Sequence, residues 1–149
     1  MTAHEIASAQ PWHEIEITLT AANEYANGHT DVEVWADFVH DNRLTLRRPA
    51  FWDGGSTWKI RFASPLADGR WTWLSFSSTV DTGLAGQTGI VACEAGPAAA
   101  NRFHRHGFWR MSPGKRSLVH ADGRAAVLAG DTAWGLPWRA TLEQCRVYA

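Results

Sequence analysis

The stretch that decides the fold runs from Thr57 to Ser78 and reads TWKIRFASPLADGRWTWLSFSS. In its first third every second residue is apolar (Trp58, Ile60 and Phe62), and charged side chains stand between them. This period of two is typical of a strand with one buried face. RWTWLSFSS has the composition of a second strand, and SPLADG between the two is rich in turn-forming residues. The stretch therefore predicts two antiparallel strands joined as a β-hairpin.

Similar patterns occur on both sides of this stretch. HEIEITLTA (13–21) and DVEVWADFVH (31–40) alternate in the same way, and TGIVACEA (88–95) is a further strand candidate. The sequences NGH, DGG and ADGR lie between strand candidates and are typical of turns. Five or more short strands without a long helical pattern before residue 96 predict an antiparallel β-sandwich. We describe it as immunoglobulin-like only, because the Cys–Trp–Cys pattern of antibody domains is absent.

The pattern changes after EAGPAAANR (94–102), which we interpret as a linker or domain boundary. The following segment predicts a strand, a turn at Pro113–Gly114, a strand through Leu118–His120, an ADGR turn and the apolar strand AAVLAG (125–130). A nearly continuous apolar run is typical of a strand that is buried on both faces of a parallel sheet.

RATLEQCRVYA, the last segment, predicts the start of a helix. Thr141 and Gln144 have the spacing of a capping box. The sequence ends after about two helical turns, and it holds no neighbours for the buried strand before it. We therefore expect the chain to be truncated within a second domain. The alternative is that the last helix packs back on the sandwich.

Composition limits the classes of partner. The chain has 14 basic and 15 acidic residues, a balance that gives no electrostatic reason to expect a nucleic acid partner. The sequence shows no secretory signal and no apolar run of membrane-spanning length. We therefore expect a cytoplasmic protein without a membrane partner. Its two cysteines, Cys93 and Cys145, do not form a disulfide framework.

Tryptophan is strongly enriched, with nine among 149 residues. Trp71 and Trp73 are two apart on one predicted strand, so their rings share a face. Trp35 lies on the face opposite Val34 and Ala36. A flat ring can stack on the C–H face of a sugar, and it can also pack in a core or against another domain. We favour packing for these three, with a sugar-stacking platform as the functional alternative.

His104 and His106 form an H-x-H pair, which a strand would place on one side. A metal site needs a third or fourth ligand, and the neighbouring sequence supplies no cysteine or carboxylate for that role. We therefore predict no metal site and no cofactor, and we expect hydrogen bonding of both histidines at the domain junction.

Four stretches together carry a resemblance to a family: DVEVWADF, RPAFWDGGSTWKIRFASPLADGRWTWLSFSS, NRFHRHGFWRMSPGKRSLVHADGR and GDTAWGLPWRATLEQ. They resemble the N-terminal part of bacterial apiosidase-like glycoside hydrolases, from about Trp12 onward. In that family a β-sandwich precedes a catalytic (β/α)8 barrel. The resemblance implies an immunoglobulin-like sandwich at residues 10–97. It also implies the first hairpin, strand and partial helix of an incomplete barrel at 98–149.

The barrel start carries the candidate substrate-binding residues. Asp131 directly follows AAVLAG, at the end of a strand where barrel enzymes form their sites. It would bind a sugar hydroxyl in the complete enzyme, or it is a turn aspartate. Trp134 and Trp138 would line the same pocket, or they pack beneath the first loop. The resemblance implies that the acid/base and the nucleophile lie on later strands, so we predict no catalytic residue in this chain.

Three functional hypotheses follow. The first is the N-terminal fragment of a glycoside hydrolase that acts on plant-type glycan side chains, with the sandwich packed on the barrel as structural support. This fragment is expected to be inactive alone, and carbohydrate is its partner only through the complete enzyme. The second is a carbohydrate-binding module with a tryptophan platform. The third is a non-enzymatic interaction domain that docks or oligomerises through residues 125–149.

Overall fold

The computed structural model describes residues 6–94, 101–127, 130 and 134–148. Of these residues, 42% lie in strands and 12% in helices, which confirms the prediction of a mainly β chain. The predicted linker at 94–102 falls largely outside the described residues, as do Leu128 and Ala129 of the predicted apolar strand. None of the helices in the described ranges is both long and apolar enough to cross a membrane.

Seven strands form one sheet in the order β1-β7-β6-β3-β4-β5-β2, which curls into a nearly closed barrel. All neighbours are antiparallel except β1 and β7, which are parallel. The strands are β1 (Ile6–Ala9), β2 (Glu14–Thr20), β3 (Val34–His40), β4 (Thr45–Trp52), β5 (Thr57–Ala63), β6 (Gly69–Ser77) and β7 (Thr88–Cys93). The immunoglobulin-like sandwich is a finer description of this curled sheet and stays a prediction.

The hairpin predicted for Thr57–Ser78 is wrong, although both of its strands exist. β5 pairs with β4 and β2, whereas β6 pairs with β3 and β7. The chain between them instead passes from one part of the sheet to another, and the rings of Phe62 and Trp71 meet edge to face at 5.1 Å. Strands paired side by side would leave their common apolar face uncovered. Strands that face each other bury both apolar faces, which is the more favourable arrangement.

The alternation of apolar residues did not predict β4. This strand changes its pairing partner midway, and we call the place of the change the corner of the sheet. Its first half pairs with β3 as far as Trp35 and Pro49, and its second half pairs with β5 from Ala50 onward. Proline lacks the N–H that a central strand donates, so Pro49 argues against a strand in the sequence. The proline is tolerated because it lies where β4 changes partners.

The core lies between the two curved halves of this sheet. The alternation predicted for β2, β3 and β5 is confirmed, because every second residue of each strand is more buried than its neighbours. Phe38 of β3 stacks on Phe62 of β5 with centroids 4.0 Å apart, and both rings are buried. Stacked rings from opposite halves hold the curvature of the sheet, since separating them would expose both to water.

Asp81 connects two loops at one end of the barrel. Its carboxylate accepts hydrogen bonds from the backbone N–H groups of Ala22, Asn23, Gly83 and Leu84 at 2.8–3.1 Å, and from the Tyr25 hydroxyl at 3.0 Å. The residue is only 3% exposed. Burial alone would raise the pKa of this carboxyl, but the hydrogen bonds outweigh burial and lower the pKa to about 2.

The remaining elements form a second, smaller group. A three-stranded antiparallel sheet holds β8 (Trp109–Met111), β9 (Leu118–His120) and β10 (Ala125–Ala126), preceded by α1 (Arg102–His106) and followed by α2 (Leu136–Arg139) and α3 (Leu142–Tyr148). The predicted strands at 109–111 and 118–120 and the turns after them are confirmed. The capping box is also confirmed, because Thr141 and Gln144 exchange hydrogen bonds of 2.8 and 3.2 Å.

The H-x-H pair lies on a helix, so the prediction that a strand places both rings on one side is wrong. His106 bonds Asp122 at 2.8 Å, whereas His104 stacks on His13 with centroids 3.7 Å apart. Residues two apart on a helix point in different directions. Within the described part of the chain, no group of three or more His, Cys, Asp or Glu residues is placed to hold a metal ion.

Candidate functional site

A pocket of about 540 Å³ opens at the corner of the sheet. We call it the Trp35 pocket and define it by six lining residues: His29, Glu33, Trp35, Arg47, Trp52 and Trp58. Its size falls within the range of pockets that bind small molecules. Three tryptophans and Phe51 are among its twelve lining residues, so aromatic rings form part of its wall.

The pocket exists because β3 and β4 separate. Their pairing ends at Trp35 and Pro49, and beyond this point β4 turns away to pair with β5. The start of β3 and the residues before it therefore lose their neighbour on that side. The opening between them is lined by Glu33 and Trp35 on one side and by Trp52 on the other.

Trp35 is held between two side chains on the outer face of the sheet. Its ring lies nearly parallel to that of Phe76, with centroids 5.7 Å apart. The guanidinium carbon of Arg47 lies 5.1 Å from the Trp35 ring centroid, within cation–π range. Arg47 in turn donates to both carboxylate oxygens of Asp37, at 2.7 and 2.8 Å. These hydrogen bonds lower the pKa of Asp37, so the pair keeps its charges.

The indole N–H of Trp35 is buried and has no hydrogen-bond partner among the described residues. A buried donor without an acceptor costs about 1–3 kcal/mol. Phenylalanine would provide a ring at the same place without that cost. Packing alone therefore does not account for a tryptophan at this position.

Trp52 forms the opposite wall and is equally fixed. Its indole N–H donates to the carbonyl oxygen of Gly55 at 2.8 Å. Gly28 lies against the ring so closely that a Cβ there would come within 2.6 Å of it. His29 meets the ring edge to face at 4.9 Å. Trp58, only 2% exposed, lies beneath with its centroid 6.4 Å from that of Trp52.

The charges of the pocket favour binding over hydrolysis. Glu33 is the one carboxylate among its lining residues in the described chain. Glycoside hydrolysis commonly needs two carboxyl groups across the scissile bond, about 5–10 Å apart. Arg47 is already paired with Asp37, so it adds little net charge. The Trp35 pocket can therefore hold a ligand but does not contain a hydrolytic pair.

The structure separates the three tryptophans that the sequence grouped as possible stacking residues. Trp71 is fully buried and donates its indole N–H to the Ser64 hydroxyl at 3.0 Å. Trp73 is partly buried and packs against the core. Trp71, buried in the core, offers no face to a ligand, whereas Trp35 lines the Trp35 pocket and Trp73 lines a second cleft of about 460 Å³ beside Glu16 and Gln87.

The second group of candidates lies at the other end of the chain. Asp131 falls outside the described residues. Trp134 and Trp138 are 76% and 71% exposed. Trp134 lines a shallow groove of about 400 Å³ together with Arg139, Gln144 and Tyr148. Large exposed indole rings are available to a ligand or to another part of a protein.

His29, Glu33 and Trp52 were not predicted as site residues. Their signal was weak, because His29 ends the NGH turn and Trp52 directly precedes the DGG turn. Both turns were interpreted only as connections between strands. They come together because the corner in β4 brings the two loops to the same end of the barrel, which no local pattern indicates.

This chain is similar to a protein-family model over part of its length and to a solved structure. Residues 8–78 match the model described as Domain of unknown function (DUF5060). No curated protein sequence matches the chain. Among solved structures, the chain is similar to "a putative glycoside hydrolase from Bacteroides vulgatus ATCC 8482", with a TM-score of 0.62 and 21% identity. The match covers 80% of this chain but only 21% of that chain. This likeness shows a shared fold, and the chain spans about one fifth of the relative's length.

Proposed function

We propose that this chain is the N-terminal part of a glycoside hydrolase. In this proposal residues 10–97 form an immunoglobulin-like accessory domain, and residues 98–149 begin a catalytic (β/α)8 barrel. The observation that carries it is the structural match, which extends over 80% of this chain and 21% of a much longer glycoside hydrolase-like protein. A chain that matches about one fifth of a longer relative fits a supporting role within a larger enzyme.

The exposed surface of residues 127–148 supports the proposal. Val127, Trp138, Leu142 and Val147 are each more than 70% exposed. α3 contains no buried residue. Soluble domains rarely leave so many large apolar side chains uncovered. The further helices and strands of a barrel would cover them.

In this proposal the chain contributes substrate-binding residues but no catalytic pair of carboxylates. A full barrel takes about 250 residues, and its catalytic groups come from the ends of several strands. Asp131, Trp134 and Trp138 would contribute to the sugar-binding side of that site. The resemblance to apiosidase-like enzymes suggests branched plant glycans with terminal apiose as the substrate class.

The test compares the 149-residue chain with the longer product of its gene. The reading frame is followed past the codon for Ala149, and both proteins are assayed against aryl glycosides that include an apioside. We expect sugar release from the longer protein alone, and we expect Asp131→Asn in it to lower kcat/KM at least tenfold. A reading frame that ends at Ala149, hydrolysis by the 149-residue chain, or a folded longer protein that is inactive on every glycoside would each refute the proposal.

A carbohydrate-binding role for the barrel of β-strands is the second candidate. It is favoured by one observation, the fixed aromatic walls of the Trp35 pocket. The two functions are compatible, since binding domains commonly hold an enzyme on its polymer. The pocket gives this second role a specific location.

A further inference from the structure

We infer that the Trp35 pocket is a binding site for a neutral saccharide of one or two rings. The inference rests on the proposed function for its ligand class, because a hydrolase-linked domain meets glycans. The geometry of the pocket supports the binding site itself. It lies at the corner of the sheet, and its lining includes none of the residues proposed for the substrate site of the barrel.

The aromatic walls of the Trp35 pocket are rigid. Trp35 is held by Phe76 and Arg47, and Trp52 is held by Gly55 and the backbone of Gly28. Rings that are fixed before binding lose little conformational entropy when a ligand arrives. Phe76 and Arg47 lie beside the Trp35 ring and Gly28 lies against the Trp52 ring, so the walls offer a ligand their remaining apolar indole surface, which suits the C–H faces of a pyranose ring better than polar side chains do.

Polar side chains lie at the rim of the Trp35 pocket. His29 and Glu33 are exposed beside the aromatic walls and can exchange hydrogen bonds with sugar hydroxyls. Pockets that bind small polar molecules typically combine apolar walls with a few such groups.

The charges of the residues that line the Trp35 pocket favour a neutral sugar over an acidic one. The Arg47 guanidinium is engaged by both oxygens of Asp37. Glu33 is then the remaining charge among the lining residues in the described chain. A uronic acid would place its carboxylate near Glu33 without an unpaired cation to balance it, and like charges at such distances repel.

The test is a titration of the ¹⁵N-labelled 149-residue chain followed by NMR of its indole N–H signals. The probes are cellobiose and xylobiose as neutral disaccharides, and digalacturonic acid as the acidic one. Trp35→Phe and Trp52→Phe identify the two signals by their loss. We expect both signals to shift with a millimolar Kd for at least one neutral disaccharide, and at least fivefold weaker binding of digalacturonic acid.

Two variants locate the binding. Trp35→Ala is expected to weaken binding about tenfold or more, as removal of an aromatic anchor does. Val80→Ala shortens a side chain that is 92% exposed and lies outside the pocket, and it is the control, with unchanged Kd. Thermal unfolding checks that both are folded. If Trp35→Ala fails to fold, His29→Ala, at an exposed position, takes its place and is expected to weaken binding at least threefold.

Three results would overturn the inference. One is the absence of shifts with either neutral disaccharide up to about 50 mM, where a millimolar site is nearly saturated. The second is equal loss of binding in Val80→Ala. The third is a shift of the Trp35 and Trp52 signals by a proline-rich peptide but by no sugar. Hydrolysis by the longer protein is a separate readout, so binding without hydrolysis refutes only the hydrolase, and hydrolysis without binding refutes only this site.

Discussion

The replacement of Asp81 by asparagine tests the loop connection that closes one end of the barrel. The two oxygens of Asp81 have different partners: one accepts from Ala22, Gly83 and Leu84, and the other from Asn23 and Tyr25. Asparagine keeps the first oxygen but replaces the second by an NH₂ group. That group cannot accept from the Asn23 N–H, which is then left without its acceptor.

The magnitude follows from the pKa and from the lost hydrogen bond. The pKa of Asp81 falls from 3.8 to about 2 in the folded protein. Each pKa unit corresponds to about 1.4 kcal/mol, so ionisation of this carboxyl contributes about 2 kcal/mol to folding stability. An unpaired buried N–H costs about 1–3 kcal/mol more. We therefore expect Asp81→Asn to lower the free energy of unfolding by about 3–5 kcal/mol at pH 7.

The same shift predicts a pH dependence with a definite sign. Because the folded pKa is lower than the unfolded pKa, the stabilisation is fully present above about pH 4. It is lost as the pH falls through about 2, where Asp81 becomes protonated in both states. The gap in unfolding free energy between the natural chain and Asp81→Asn should therefore narrow by about 2 kcal/mol between pH 5 and pH 2.

Urea unfolding followed by circular dichroism at several pH values measures both effects. Glu143→Gln is the control, because Glu143 is 77% exposed and pairs with Arg146 at 3.7 Å. Its loss should change the unfolding free energy by less than about 0.5 kcal/mol. The reasoning would be refuted if Asp81→Asn cost less than about 1 kcal/mol at pH 7. Parallel curves for the two proteins from pH 5 to pH 2 would refute it as well.

Three further substitutions test individual contacts by thermal unfolding. Trp35→Phe removes a buried N–H without a partner, so it should be neutral or should raise Tm; a loss of more than about 1 kcal/mol would contradict this. Gly83→Ala should destabilise by about 2 kcal/mol or more, because its Cβ would lie 1.9 Å from a backbone oxygen. Gly114→Ala, which meets nothing within 4 Å, is its control and should be neutral. Ser64→Ala leaves the buried Trp71 N–H without its acceptor at 3.0 Å and should cost about 1–3 kcal/mol, and an unchanged Tm would argue against that bond.

The strand pattern was predictable because it is local. Alternation in Trp58, Ile60 and Phe62 identified which side chains face inward, and the structure buries all three. The capping box was predictable for the same reason, since Thr141 and Gln144 are three residues apart. The helical placement of His104 and His106 was not predicted, because five residues are too few for a helical period to show.

The candidate site was predictable only in part. Trp35 was singled out because it lies on the outer face of its strand. Trp52 and His29 lie near Trp35 only because β4 changes its pairing partner after Pro49. The sequence did not indicate this change, because a proline argues against a strand. A pocket between loops depends on how far two strands stay paired, and that distance is set by the curvature of the whole sheet.

The sequence by itself determined most of the strands, the faces that they bury and the positions of most turns, because these follow from periods of two and from local turn chemistry. Only the tertiary structure decided which strands pair. β5 and β6 are consecutive and separated by a turn-like loop, yet they face each other across the core. Local chemistry permits both the hairpin and the crossing. The choice depends on the burial of apolar faces from strands that are distant in the chain, and burial is a property of the whole sheet.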